Sequence, residues 1–196
     1  MMLFKKKYSE FTDEQLMKFM QQGDTDAFDV LYERYSQRLL AFFMRTLNND
    51  LPKAQDFLHD IFVKIIERPE LFDSGKKFKT WIFSIAYNQC KNEYRRLEIR
   101  KNTEFLADDI ELESDSDEYL QIEQAIDNEK FKNCIYNELA TFEPEKQSVF
   151  LLKYQQNLSI KEISEIFNCA EGTVKSRLFY ITKKLAEKFA AFSPIS

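Results

Sequence analysis

The residues from Phe78 to Arg96 place Trp81, Ser84, Asn88, Lys91 and Arg95 at successive intervals of three or four, a single stripe if the segment is helical. Beyond Trp81 the stripe is polar and basic. The amide of Asn88 can hydrogen-bond base edges, and Lys91, Arg95 and Arg96 can hold phosphates. Cations interleaved with aromatic rings suit a strand of exposed, unstacked bases. Two plainer readings stand beside this one. A lone Trp in a helical bundle is more often part of the core, and a row of Lys and Arg can be only a solvated face.

A second constellation lies in Leu158–Leu185. Ile160, Ile163 and Ile166 mark the inner face of a short helix, and Asn168-Cys169-Ala170 breaks it. A second helix opens at Glu171-Gly172-Thr173, with Val174, Leu178 and Ile181 on one side and Lys175, Ser176, Arg177, Phe179 and Lys183 on the other. This is the pattern of a helix-turn-helix, whose second helix enters a DNA major groove N-terminus first. Gly172 tolerates close approach to a backbone, and Thr173 can cap the helix or bond a phosphate. Lys175, Ser176 and Phe179 form a patch able to reach phosphates and base edges, and Lys153 can anchor the flanking backbone. The alternative is an amphipathic hairpin with solvated cations.

The third constellation sits on the segment Lys53–Glu67, where Phe57, Leu58, Ile61, Phe62, Ile65 and Ile66 form a broad apolar stripe. Opposite it lie Asp56, His59, Asp60, Lys64 and Glu67. Asp56, His59 and Asp60 have the spacing of metal ligands on a helix, but no second His or Cys supports them. No metal site and no cofactor is expected. Composition alone makes this face merely solvated.

The elements that must position these residues are helical. With 3 Gly and 4 Pro in 196 residues, turn-rich β folds are disfavoured, while 44% hydrophobic residues, among them 19 Phe and 9 Tyr, supply ample core. Thr12-Asp13-Glu14 and Asp24-Thr25-Asp26 are helix-start signals, Pro52 suits a first turn, and Pro69 ends the third helix. A loop over Pro69–Lys77 leads to a helix from about Phe78 towards Arg100. Helical patterning returns at Tyr119, and Pro144 opens a further helix ahead of the helix-turn-helix.

Net charge is −5, which on its face disfavours a DNA ligand. Its distribution reverses that impression. Eleven acidic residues and no Lys or Arg fall between Glu104 and Glu129, whereas Lys76 to Lys101 holds eight basic residues against two acidic. The acidic stretch reads as an extended, solvated tether. The expected organisation is all-α: a helical domain over 8–101, an acidic linker over 102–118, and a helix-turn-helix domain over 119–191. Cys90, Cys134 and Cys169 are few and scattered, as in a reduced compartment. With no secretory or membrane-spanning stretch in sight, a cytoplasmic protein is expected.

Taken together, Ala54-Gln55-Asp56-Phe57-Leu58-His59-Asp60-Ile61-Phe62, Phe78-Lys79-Thr80-Trp81-Ile82-Phe83-Ser84-Ile85-Ala86-Tyr87-Asn88 and Glu171-Gly172-Thr173-Val174-Lys175-Ser176-Arg177-Leu178 resemble the group IV (extracytoplasmic function, ECF) sigma factors of bacterial RNA polymerase. The resemblance spans nearly the whole chain, in the family's order. It implies a four-helix promoter-opening domain and a helix-turn-helix domain, and a factor that binds core polymerase, directs initiation and catalyses no bond-making itself. Asp56, His59 and Asp60 then correspond to the surface that docks on the clamp helices of the largest subunit, His59 and Asp60 standing where the family usually has Gln and Glu. Lys79, Asn88, Lys91, Tyr94, Arg95 and Arg96 correspond to the surface for the melted −10 strand. Lys153, Thr173, Lys175, Ser176, Arg177, Phe179 and Tyr180 correspond to the −35 surface, with Lys175 and Tyr180 at positions where many members carry Arg. The acidic linker would thread a basic channel of polymerase, the plainer alternative being a solubilising tether. The implied partners are core RNA polymerase, including its flap, promoter DNA and an anti-sigma protein. The rival functions are a polymerase-independent helix-turn-helix regulator and, on Asp56, His59 and Asp60, a metal-dependent hydrolase.

Overall fold

The computed structural model describes residues 8–103 and 123–190, with side chains described for 8–100 and 131–190. All regular structure among the described residues is helical: α1 (Asp13–Gln21), α2 (Ala27–Thr46), α3 (Leu51–Glu67), α4 (Phe78–Thr103), α5 (Glu123–Leu139), α6 (Pro144–Phe150), α7 (Ile160–Phe167) and α8 (Glu171–Phe189). No described helix is long and apolar enough to cross a membrane. The expected linker lies outside the described residues except at Asn102 and Thr103, which continue α4.

Local chemistry sets the helix starts. Thr12 accepts from the Gln15 N–H while the Gln15 side chain accepts from the Thr12 N–H, a reciprocal cap for α1. Asp50 caps α3 through the Lys53 N–H, with Pro52 in the first turn. Before α2, Asp26 makes no capping bond, and Asp24 instead accepts from the Tyr8 hydroxyl at 2.7 Å. Left-handed backbone falls on Asn48, Asn49, Asn157 and Asn168, besides Gly23. Asn tolerates that conformation, so a chain with few glycines turns its corners with asparagine.

Helices α1 to α4 pack around Phe42, Phe43, Phe72, Phe78 and Phe83, all 2% exposed or less. Phe83 meets the Phe42 ring edge-on at 5.8 Å, and Phe78 meets Phe72 at 5.5 Å and Tyr35 at 5.1 Å. Each such side chain contributes roughly 1.5–3 kcal/mol by burial, and edge-to-face pairing adds about 0.5–1.5 kcal/mol. The start of α4 is held from outside its own helix, because Glu14 accepts from the Phe78 N–H at 2.9 Å. Further along, Glu93 is 7% exposed and pairs with Lys53 of α3 at 2.7 Å and Arg96 at 3.1 Å.

The second unit is built by α5 to α8 on Leu139, Val149, Leu151, Leu152, Ile163, Val174 and Ile181, all buried. A wide turn over Leu151–Gln155 prolongs α6. Ser159 and Glu162 form a second reciprocal cap, on α7. Asn168 ends α7 in left-handed geometry and lets α8 cross it. The two units touch, α4 lying along α7 and α2 reaching α6.

Burial opposes the charge on Glu93, but the ammonium of Lys53 and the guanidinium of Arg96 outweigh it and hold the carboxyl below its ordinary value of 4.5. A depressed carboxyl stabilises the fold above that value, and the contribution disappears as pH falls through the folded-state value. Glu93→Gln should therefore cost about 1–3 kcal/mol at neutral pH, and the difference from the parent should shrink in acid, as measured by urea unfolding across that range. Phe42→Ala should cost about 3–5 kcal/mol at any pH by leaving a cavity, visible as a lowered melting temperature.

Candidate nucleic-acid interface

Helix α4 divides its residues between inside and outside. Phe78, Ile82, Phe83, Ala86 and Cys90 face the core and are fully buried. One consequence is chemical: burial pushes the Cys90 thiol up to about 12, so it is inert. On the other side Asn88 and Arg95 are exposed, and Ser84 and Lys91 are half-buried. The Lys91 ammonium lies 6.0 Å from the Tyr87 ring centroid. Trp81 is half-buried against Phe72 at 5.2 Å and Phe78 at 5.7 Å, so it serves the core while one edge lines an open groove with Ser84.

Not every expected strand-reading residue faces out. The Tyr94 hydroxyl donates inward to the Thr46 carbonyl, and burial raises its pKa. Arg96 does face out, remaining exposed while its guanidinium pairs with Glu93. Lys79 is half-buried and donates to the Asn157 carbonyl at 3.4 Å, and burial, with Arg38 nearby, holds its ammonium below the usual lysine range. The loop before α4 is stitched by Gln21, which donates to the carbonyls of Pro69 and Phe72, and by Asp73, which accepts from the Gly75 N–H.

On α8 the outward patch is as expected. Lys175 and Ser176 are exposed, and Phe179 is 70% exposed, an unusual position for a benzyl side chain. Tyr180 sits at the patch's edge, its ring meeting Phe142 edge-on at 6.2 Å with the Lys146 ammonium 4.9 Å from its centroid. Thr173 does not cap α8: the cap position is Ala170, which offers no side chain for the purpose, and Thr173 stands exposed in the first turn. Gly172 leaves open space where a Cβ would be. Arg177 turns away from the patch, pairing with Glu145 at 2.7 Å and lying over the Phe167 ring at 5.6 Å. Lys153 is half-buried ahead of α7.

Asp56, His59 and Asp60 share the exposed face of α3, opposite Ile61, Phe62 and Ile65. The polar stripe of α4, the α8 patch and this α3 face are three separate surfaces.

Sequence reasoning missed the groups that hold these surfaces in place. Glu14 at the start of α4, Glu93 beneath Arg96, and Gln156 are positioned by partners far away in the chain. Only Glu162 carried a local signal, its spacing from Ser159 being that of a capping box.

Comparisons with known proteins agree with this division. The Sigma-70 region 2 family model matches residues 31–99, and the Sigma-70, region 4 model matches residues 132–185, together more than half of the chain. The chain is 29% identical over 186 residues to an ECF RNA polymerase sigma-E factor of Haemophilus influenzae, a match covering 91% of this chain and 96% of that protein. To the ECF RNA polymerase sigma factor SigW of Bacillus subtilis it is 28% identical over 169 residues, covering 83% and 88%. Among solved structures, CnrH in complex with the cytosolic domain of CnrY shares the fold with a TM-score of 0.66 at 20% identity, over 92% of this chain and 99% of that one. The sigma factor RpoE of Bartonella quintana, in complex with the anti-sigma factor NepR, does so with a TM-score of 0.60 at 21% identity, over 83% and 96%. With region 2 ending on the basic helix α4 and region 4 on the exposed α8 patch, the chain belongs to the ECF group of the sigma-70 family.

Proposed function

We propose that the chain binds core RNA polymerase in the cytoplasm and directs promoter-specific initiation without itself catalysing a reaction. The observation that carries this reading is the pairing of two different DNA-facing surfaces in one short chain. A basic, aromatic-backed stripe on α4 suits unstacked bases, and the Lys175–Ser176–Phe179 patch on α8 suits a major groove. Such surfaces are individually weak and gain avidity when a larger body fixes their spacing. Free chain should accordingly bind promoter duplex poorly.

Residues 8–101 act as the domain that docks on polymerase and opens the −10 element, and 119–191 as the domain that reads the −35 element, with 102–118 as the acidic connection. Asn88, Lys91 and Arg95 meet the melted strand, while Lys79 and Arg96 supply charge nearby and Tyr94 packs behind them. Lys175, Ser176, Phe179 and Tyr180 meet the −35 groove, with Thr173 and Lys153 at phosphates, and Arg177 orients α8 through Glu145. The exposed Asp56, His59 and Asp60 meet the clamp helices. An anti-sigma protein completes the set of partners, as in the related complex of RpoE with the anti-sigma factor NepR. A polymerase-independent regulator has no use for the region 2 surface.

In vitro transcription with a cognate core enzyme tests the reading, and absence of promoter-dependent starts would defeat it. Lys175→Ala combined with Ser176→Ala should lower use of −35-dependent promoters at least about tenfold, since a good base contact contributes roughly 1–3 kcal/mol. Core binding should be unchanged in that variant. Asp60→Arg should weaken binding to core polymerase by about tenfold through like-charge repulsion, measured by displacement of a labelled parent chain.

A further inference from the structure

Cations are plentiful in the second unit, but only one of them is a guanidinium. Arg177 is the sole arginine beyond Arg100, and every other basic residue there is a lysine. It is already engaged, pairing with Glu145 at 2.7 Å and lying over the Phe167 ring, about 160° round α8 from Phe179. No guanidinium therefore stands on the exposed patch of α8. Guanine is read most firmly by a planar fork that meets O6 and N7 together. An ammonium on a flexible stem is a point charge. It donates to guanine O6 or N7, adenine N7 and thymine O4 alike, so it adds affinity while choosing little between bases.

The side chains that do face out have a different emphasis. On a regular helix, Gly172, Lys175, Ser176, Phe179 and Lys183 fall within an arc of about 100°. Phe179 stands between the two lysines, about one turn from each, and its ring is open to solvent. Gly172 leaves open space where a phosphate backbone would approach. Tyr180 borders the patch with its own ring occupied by Phe142 and Lys146. An exposed benzyl group has one apolar counterpart on the major-groove edge of a duplex, the C5-methyl of thymine. No other base carries one there. No carboxylate lies within the arc, and Glu187 just beyond it is engaged by Lys183 and Lys184. That balance favours a polyanion over an apolar protein groove.

We propose that α8 chooses its duplex through a thymine methyl seated on Phe179, with Lys175 and Lys183 supplying charge and no guanine required. Phe179 is then the specificity-determining residue of the patch. The methyl and the ring shield each other from water, and the lysines on either side hold the helix in the groove without dictating which base they meet. Arg177 gives its guanidinium to the fold, so the upstream element of this chain is anchored on an A·T pair. The inference deepens the reading of α8 as the −35 reader and rests on it.

The test uses holoenzyme assembled from core polymerase and the full-length chain. Promoter duplexes are selected from a random pool, and each thymine of the upstream element is replaced in turn by deoxyuridine, which lacks only the methyl group. At least one replacement should weaken binding by about fourfold, the worth of one buried methyl group. Holoenzyme carrying Phe179→Ala should bind the thymine and deoxyuridine duplexes equally. Lys175→Arg should add a preference for guanine of about tenfold at the facing position, which the parent lacks. A parent indifferent to every replacement overturns the inference, as does an upstream element anchored on guanine or an equal loss in Phe179→Ala. If Phe179→Ala leaves promoter binding unmoved, the ring serves a protein partner and the inference is lost. The deoxyuridine series on the parent decides the matter even where a variant fails to fold. Selection of promoters without any methyl dependence removes only this inference, whereas failure to select any duplex removes the assignment to initiation first and this inference with it.

Discussion

Everything outward-facing on the first unit depends on one constraint, that α4 cannot rotate about its own axis. The helix presents core residues and the residues proposed to meet the strand within the same turns, Phe83 beside Ser84 and Cys90 beside Lys91. A slip of one residue would turn Asn88 and Lys91 by about 100° away from any strand. Rotation is blocked at the start by Glu14 on the Phe78 N–H, in the middle by the rings around Phe83, and near Glu93 by Lys53. Each restraint comes from a different helix. The precision of the exposed face is therefore a property of the four-helix core.

The second unit solves the same problem with less material. Helix α7 has only eight residues and owes its definition to the Ser159–Glu162 cap. Burial alone would raise the Glu162 pKa, but the Ser159 N–H and hydroxyl and the Lys77 ammonium bring it down to about 2. The carboxylate stays charged across the physiological range and serves the cap and the contact with the first unit together. Helix α8 is oriented by Arg177, clamped between Glu145 and Phe167, so a cation that looks DNA-facing in a linear pattern works inside the unit instead.

Those contrasts mark what was legible in the sequence. The all-helical fold, the starts at Thr12, Pro52 and Ser159, the end before Pro69 and the break at Asn168 are written locally, in caps, prolines and apolar spacing. So are the inner faces of α3 and α8. Side-chain direction is not always written locally. Arg177 and Tyr94 have the right residue types for nucleic acid, and each is claimed by a partner that no spacing rule reveals, whereas the Arg96–Glu93 pair has ordinary helical spacing. Thr173 failed as a cap because the helix starts at Glu171, making Ala170 the cap position. The Arg38–Gln156 pair is further from legibility still, since two polar residues 118 positions apart carry no mutual signal.

The charge pattern bears on how a chain with a net charge of −5 would handle a polyanion. Segregating acidic residues into one stretch leaves the outer face of α4 locally basic, and on the proposed reading neither surface need hold DNA strongly alone, since phosphate contacts are screened by salt. Weak halves are an advantage when specificity must come from holding both at one spacing, for strong binding by either half would retain the chain on unrelated DNA.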